Sequence, residues 1–333
     1  MDLIVKKRTV PLKIQVCEAL LRRLPNNYVS RHELQEELDR RWAGYRGEES
    51  LDYQLGFLDE KKYLIFHDLN LPMGENTFQI DTLLLSANLA IIIEVKNISG
   101  ILFFDQEFHQ LIRTNKNGEQ EGFPDPVTQA SLHALQLKRF LQEHRLPQVP
   151  IEFAVVITSK NSILKTTAGH RRIFEKVFKA PHLPNRIQHL EAIYQKEILS
   201  FKDMNKISRN LLKNNTPPRK LFMDRYLSSK NQLKPGVHCP ACSYIPIKRV
   251  KRQWYCPSCK IYLKDAHFDT LRDYFLLVDS KINNQQFRDF SLVQSRDVAS
   301  RLLASTNFGI EGTTKGRQYL APAELYMLCR DGQ

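Results

Sequence analysis

Asp81, Glu94 and Lys96 have the residue types and the spacing for chemistry on phosphate, and all three fall in the stretch TFQIDTLLLSANLAIIIEVKN from Thr77 to Asn97. The two halves of this stretch are rich in Ile, Leu and Val, as strands are, and Ser86, Ala87 and Asn88 between them suit a tight antiparallel turn. With Ala87 and Asn88 as the turn, paired residues have numbers summing to 175, which sets Asp81 opposite Glu94. Opposed residues share a face of the sheet. Period-2 alternation carries Lys96 to that face, while Ile93 and Val95 point the other way. Two carboxylates and an amine then converge. Like charges across a strand pair repel, and a lysine beside apolar strands loses hydration, a conflict that a divalent cation removes. Mg²⁺ takes one or two carboxylates and fills its octahedron with water and substrate phosphate oxygens. It lowers the pKa of a bound water, and a neighbouring Lys orients that water or neutralises the phosphate. The same three residues also suit a plain salt bridge at the rim of a sheet.

A second constellation is Cys239-Pro-Ala-Cys242 with Cys256-Pro-Ser-Cys259, two C-x-x-C pairs at the spacing of a tetrahedral Zn²⁺ site. Four thiolates fill the coordination sphere, so one structural Zn²⁺ is expected and His238 and Cys329 are bystanders. Between the pairs, Lys248, Arg249, Lys251 and Arg252 stand beside Trp254 and Tyr255. Four cations next to two aromatics suit phosphate contacts with base stacking on Trp254. They equally suit a β-hairpin whose aromatics cover a small core.

The elements that must position these groups can be read along the chain. Residues 11–24 have helical spacing with Cys17 on the apolar side, a buried thiol. A capping box at Ser30 and Glu33 starts a second helix that Gly44 is expected to end. A third begins near Gly47 and places Glu48 in its first turn, where the dipole favours a negative charge. Residues 63–71 form the strand before Asp81. After Lys96 the runs at 100–104 and 110–114, with an Asn-Gly turn at 117 and 118, continue the sheet as a meander. Asp125 caps a helix opening on Pro126, whose apolar face is expected at 132, 135, 137, 140 and 141. A buried strand at 151–159 follows by a crossover. His170-Arg171-Arg172 suits a phosphate contact or plain surface.

This order of residues resembles the PD-(D/E)xK nuclease core, and within it the nuclease-related domain, NERD. The family pattern of Gly-Glu, Gln-Ile-Asp, Glu-Val-Lys-Asn, a following Gly and Pro-x-x-Gln stands here as Gly47-Glu48, Gln79-Ile80-Asp81, Glu94-Val95-Lys96-Asn97, Gly100 and Pro126-Val127-Thr128-Gln129. The match spans roughly residues 45 to 160, and five spaced elements in order are far more specific than one Glu-x-Lys. The resemblance implies a restriction-endonuclease-like α/β fold, a mixed sheet flanked by helices. It implies Mg²⁺ or Mn²⁺ held by Asp81 and Glu94, Lys96 positioning the attacking water, and Glu48 and Gln129 assisting from their helices. The hydrolysed bond would be a phosphodiester in nucleic acid, DNA ahead of RNA.

A chain of 333 residues with 42% hydrophobic content can bury two or three cores. The expected division is an N-terminal helical region at 1–43, a nuclease-like domain at 44–200, a basic linker at 201–236, a zinc ribbon at 237–264 and a helical module at 265–333. Helices near 267–279, 283–290 and 296–304 with a basic hairpin around Gly312, Lys315, Gly316 and Arg317 have the shape of a winged helix, or of a helical packing domain. Residues 204–264 hold fourteen Lys or Arg and one acid, Asp224, and therefore the whole net charge of +13. Nucleic acid is the first partner such a segment attracts. Neither a signal peptide at the start nor an apolar run of membrane length is read, so a cytoplasmic protein with no membrane partner is expected. The rival reading is a catalytically inactive protein that keeps the nuclease scaffold and grips or regulates nucleic acid through the basic segment and ribbon.

Overall fold

The computed structural model describes residues 4–59, 61–216, 226 and 230–322, without the side chains of Arg171, Arg172, Lys230 and Lys315. The expected phosphate contact at Arg171 and Arg172, Asp224 of the basic segment, Lys315 of the hairpin and Cys329 therefore lie outside the described residues or side chains. The chain opens with β1 (Ile4–Lys6), α1 (Leu12–Arg23), α2 (Arg31–Glu49) and the short α3 (Asp52–Leu55). It divides into two units, residues 1–9 with 43–219 and residues 10–42 with 220–333. The N-terminal region expected as one piece is thus shared between them.

In the first unit, β2 (Leu64–Met73), β3 (Asn76–Leu85) and β4 (Ala90–Lys96) form an antiparallel meander. The β3–β4 pairs Thr82–Ile93 through Leu85–Ala90 all sum to 175, as the turn predicts. Ser86 closes that turn by donating its N–H to the Leu89 carbonyl at 3.0 Å. The chain then leaves the sheet. Gly100 has φ +108, and a Cβ there would stand 2.5 Å from the Thr114 carbonyl oxygen, so only glycine makes this bend. As a result β5 (Gly100–Asp105), β6 (Gln110–Thr114) and β7 (Gln120–Pro124) do not continue the first sheet. They form the expected meander in a second one.

α4 (Pro126–Glu143) starts where Asp125 accepts the N–H groups of Val127 and Thr128. It crosses over to β8 (Ile151–Ile157), parallel to β4. β9 (Ser162–Thr166) joins the second sheet, in the order β7-β6-β5-β9. After α5 (Arg171–Lys176), β10 (Val177–Lys179) closes the first sheet as β1-β2-β3-β4-β8-β10. α6 (Leu183–Ile193) and α7 (Phe201–Asn214) end the unit. α4 buries Val127, Ala130, Leu137, Phe140 and Leu141 against one face of the sheet, but Leu132 and Leu135, expected there, are exposed. α7 packs Met204, Ile207 and Leu211 into the same core, so the first part of the expected linker belongs to this unit. α3 and α6 cover the other face.

In the second unit, β11 (Lys248–Val250), β12 (Gln253–Tyr255) and β13 (Tyr262–Leu263) form the ribbon. α8 (Ala266–Leu277), β14 (Lys281–Ile282), α9 (Asn284–Ser291), α10 (Arg296–Ala304), β15 (Ile310–Glu311) and β16 (Gln318–Leu320) follow, with β16 paired to both β14 and β15. Three helices, α8, α9 and α10, are thus followed by the strand pair β15–β16. Ribbon and helices share one core, in which Cys239, Cys256 and Trp254 pack with Leu271, Phe275 and Phe287. No helix among the described residues is long and apolar enough to cross a membrane.

Candidate functional site

The acidic site lies where two strands change phase together. In β2 the residues on the α4 side are Leu64 and Phe66, then Leu69 and Leu71; in β3 they are Phe78 and Ile80, then Leu83 and Leu85. Strict alternation would not allow this, so each strand slips at the pair between, His67-Asp68 and Asp81-Thr82. Asp68 absorbs the slip with φ +52, a left-handed conformation that is uncommon outside glycine. Lys6 Nζ fixes it by donating to the carbonyls of His67 and Asp68 at 2.7 and 3.0 Å. Because His67 pairs with Thr82 and Leu69 with Ile80, Asp68 falls opposite Asp81. The β3–β4 ladder stops at Thr82–Ile93, one pair short of Asp81 and Glu94. The Val95 N–H donates instead to Asp81 Oδ2 at 2.9 Å. Asp68, Asp81 and Glu94 thus occupy one row across three strands.

α4 supplies the other side. Lys96 Nζ donates to Glu94 Oε1 at 2.7 Å and to Gln129 Oε1 at 3.2 Å. One turn further along, His133 Nδ1 lies 3.5 Å from Glu94 Oε2, an ion-pair distance at which neither atom makes a hydrogen bond. Glu48 arrives from α2. That helix does not end at Gly44 and restart; it runs unbroken to Glu49, since one glycine in a helix costs only about 1 kcal/mol. Glu48 therefore sits in a last turn, where the dipole disfavours its charge. Two features hold this turn over the ends of β4 and β8. Asn97 Nδ2 donates to the Ala43 carbonyl at 2.7 Å. Gly47 passes so close that a Cβ would collide with the Asn97 side chain and stand 2.9 Å from Thr158 Oγ1.

The electrostatics separate the acids. Burial, then the charge of Glu94, push the Asp81 carboxyl up to about 7 against the Val95 N–H and Lys96. Burial, then Asp81 and Asp68, push Glu48 up to about 9. Burial also raises Asp68, whose two carboxylate oxygens are buried without a hydrogen bond. Burial opposes the charge of Glu94 too, but His133 and Lys96 outweigh it and hold that carboxyl below the usual range. Crowded carboxylates with buried, unbonded oxygens are the donor set of a hard divalent cation, so the residues fit one, although they stand further apart than the four cysteines described next. Asp81, Glu94, Lys96 and Gln129 come together as expected, with Glu48 beside them. Asp68, His133 and Arg8 were not expected. His133 could have been found from its place four residues after Gln129 on one helix face; nothing in the local pattern marks Asp68 or Arg8.

In the second unit the Sγ atoms of Cys239, Cys242, Cys256 and Cys259 lie within 4.8 Å of one another, the only such group of His, Cys, Asp or Glu among the described residues. Cys239–Cys259 is 3.6 Å and Cys242–Cys256 3.5 Å. Bonds of about 2.3 Å to a tetrahedral Zn²⁺ put sulfurs about 3.8 Å apart, so the four thiols fit that ion. Of the expected nucleic-acid contacts, Lys248, Lys251 and Arg252 are exposed at the hairpin. Trp254 is not available for stacking: it is 2% exposed, in the core, with the Arg249 guanidinium 5.0 Å over its ring. Its Cα partner across the hairpin is Arg249, so the pair covers the ribbon core.

The acidic row and the Glu-x-Lys strand lie in a mixed sheet, with α4 beside them. Residues 43–158 match the family model of the nuclease-related domain, NERD. No curated protein and no solved structure matches the chain.

Proposed function

We propose that the protein is a divalent-metal-dependent nuclease that hydrolyses phosphodiester bonds, in DNA ahead of RNA. The observation that carries the reading is the convergence of Asp81, Glu94 and Lys96 with Gln129 inside the region matching a nuclease-related domain. Asp81 and Glu94 would hold Mg²⁺ or Mn²⁺, with Glu48 beside them. The bound ion supplies a water of lowered pKa and offsets charge on the phosphate. Lys96, held between Glu94 and Gln129, keeps its ammonium at the edge of the acid row, where it orients a water or meets a phosphate oxygen. Purified protein incubated with Mg²⁺ or Mn²⁺ and single- and double-stranded DNA and RNA tests the reading. Metal-dependent cleavage of at least one substrate is expected, and its absence from all four would overturn it.

The second unit would hold the substrate. Lys248, Lys251 and Arg252 at the hairpin and Arg296 and Arg301 on α10 are exposed, and each phosphate they neutralise releases counterions. Changing Lys248, Lys251 and Arg252 together to Ala should reduce the slope of log affinity against log salt on duplex by up to about 0.9 for each phosphate no longer neutralised. Titrations at several salt concentrations measure this; an unchanged slope would make the hairpin a bystander.

A further inference from the structure

The acidic site contains a fixed cation from outside the matched domain. Arg8 follows β1, and its side chain is 4% exposed. Nη1 donates to Glu48 Oε2 at 3.0 Å, and Asp68 Oδ1 lies 3.9 Å from it. Nη2 donates to Asp52 Oδ1 at 3.2 Å and to Thr82 Oγ1 at 3.5 Å. Nη2 also lies 3.0 Å from His67 Nδ1. Arginine has only donors, so His67 Nδ1 is an acceptor and its proton sits on Nε2.

This guanidinium does more than tie down a strand. Removing an arginine from water is costly, and a carboxylate partner offsets that only in good geometry with further hydrogen bonds to the remaining donors. Here the fork is spread over three acids from α2, the residue opening α3, and β2, so that it fixes Glu48 and Asp68 relative to each other. Apart from Arg8, Glu48 stands among acids, Asp68 and Asp81, at the carbonyl end of its own helix. Among the described residues Arg8 is the one cation that hydrogen-bonds its carboxylate. A rigid planar fork transmits direction as well as charge, which a lysine would not.

We propose that Arg8 is a positioning residue of the nuclease site, the group that aims Glu48 at the row of Asp68, Asp81 and Glu94. The proposal rests on the reading of these acids as divalent-cation ligands. It makes the first nine residues part of the nuclease-like unit, and it makes residues 43–158 alone an incomplete site.

Mn²⁺ binding to the full-length, zinc-loaded protein, followed by calorimetry, tests this with Arg8→Met, Arg8→Lys, Glu48→Gln and the double variant R8M/E48Q, and with Asp81→Asn as reference. R8M and E48Q should each weaken Mn²⁺ by roughly tenfold, the scale of outer-shell losses. The double variant should be no weaker than the weaker single one, because both changes act through one carboxylate. R8K should fall between wild type and R8M. In cleavage assays R8M should lose kcat with KM unchanged. Losses that multiply in the double variant, or R8M binding Mn²⁺ like wild type, would overturn the role of Arg8 alone. Wild-type binding that D81N does not weaken would overturn the metal reading and this proposal with it. Circular dichroism establishes folding; if R8M does not fold, R8K and R8K/E48Q are compared by the same rule.

Discussion

Asp81→Asn and Glu94→Gln are each expected to lower metal-dependent cleavage by about 10³-fold, the upper range for removing one preorganised electrostatic group from an active site, yet to shift stability in opposite directions. Asparagine is the informative replacement at 81, because alanine would also strip the acceptor from the Val95 N–H, and an unpaired buried N–H costs about 1–3 kcal/mol. The Asp81 carboxyl titrates near 7 in the fold against an ordinary 3.8, so its ionised form is the unfavourable one. The stability its proton brings is fully present below the unfolded value and is lost as pH rises through about 7. Glu48 extends that loss toward 9. Glu94 runs the other way: its folded value is depressed, so its contribution is present above the ordinary carboxylate range and is lost as pH falls. Metal-free wild type should therefore melt at lower temperature as pH rises from about 5 to 9. At pH 8, D81N should melt a few degrees higher than wild type and E94Q a few degrees lower, at about 2–4 °C per kcal/mol for units of this size. Mg²⁺ should raise the wild-type midpoint more at pH 8 than at pH 5, since it binds the ionised carboxylates. Melting curves across pH measure all of this. A D81N variant that cleaves like wild type, or that melts lower at pH 8, would show that Asp81 is not the strained acid of a metal site.

The parts of this site that were legible in the sequence are those fixed by local rules. A two-residue turn sets a register, and the register brought Asp81 alongside Glu94 without knowledge of anything else in the chain. Asp125 and Pro126 announce a helix start, which puts Gln129 in its first turn. What escaped was set by tertiary packing. Gly44 reads as a helix end, yet α2 continues because Gly47 and Asn97 dock its last turn onto the strand ends, and this reverses the electrostatic setting of Glu48. Gly100 reads as one more strand residue, whereas its positive φ sends β5 into another sheet. Asp68 has no local mark, since the left-handed turn that places it opposite Asp81 answers a phase slip shared by two strands. Arg8 is remote in sequence from every acid it touches. In the second unit Lys248, Lys251 and Arg252 of the ribbon loop are exposed, as a phosphate contact requires, but an indole beside them is as good a core residue as a stacking platform, and the cross-strand Arg249 covers it.

Removing one zinc ligand should have the largest structural effect of any single change, and it should reach beyond the ribbon. Cys242 is the ligand to change, because it is exposed while Cys239 and Cys256 are buried; Cys242→Ser therefore tests coordination and not packing. Structural zinc in small domains contributes about 10–16 kcal/mol of apparent binding energy, comparable to the whole stability of a typical domain at about 5–15 kcal/mol. The ribbon strands are only two or three residues long, too short to stand alone. They do not have a core of their own either: Cys239, Cys256 and Trp254 share theirs with α8, α9 and α10. Loss of the ion should thus unfold the ribbon and loosen the helices with it, exposing Leu271, Phe275 and Phe287. The first unit, whose sheet and helices close over separate clusters, should keep its protection. Hydrogen exchange on the full chain would show this as fast exchange across 237–304 in C242S with slow exchange retained in β2, β3, β4 and β8. Metal analysis should find one zinc per wild-type chain and none in the variant. Wild-type protein without zinc, or a C242S variant whose α8 amides remain as protected as before, would rule out the ion as the centre of this unit.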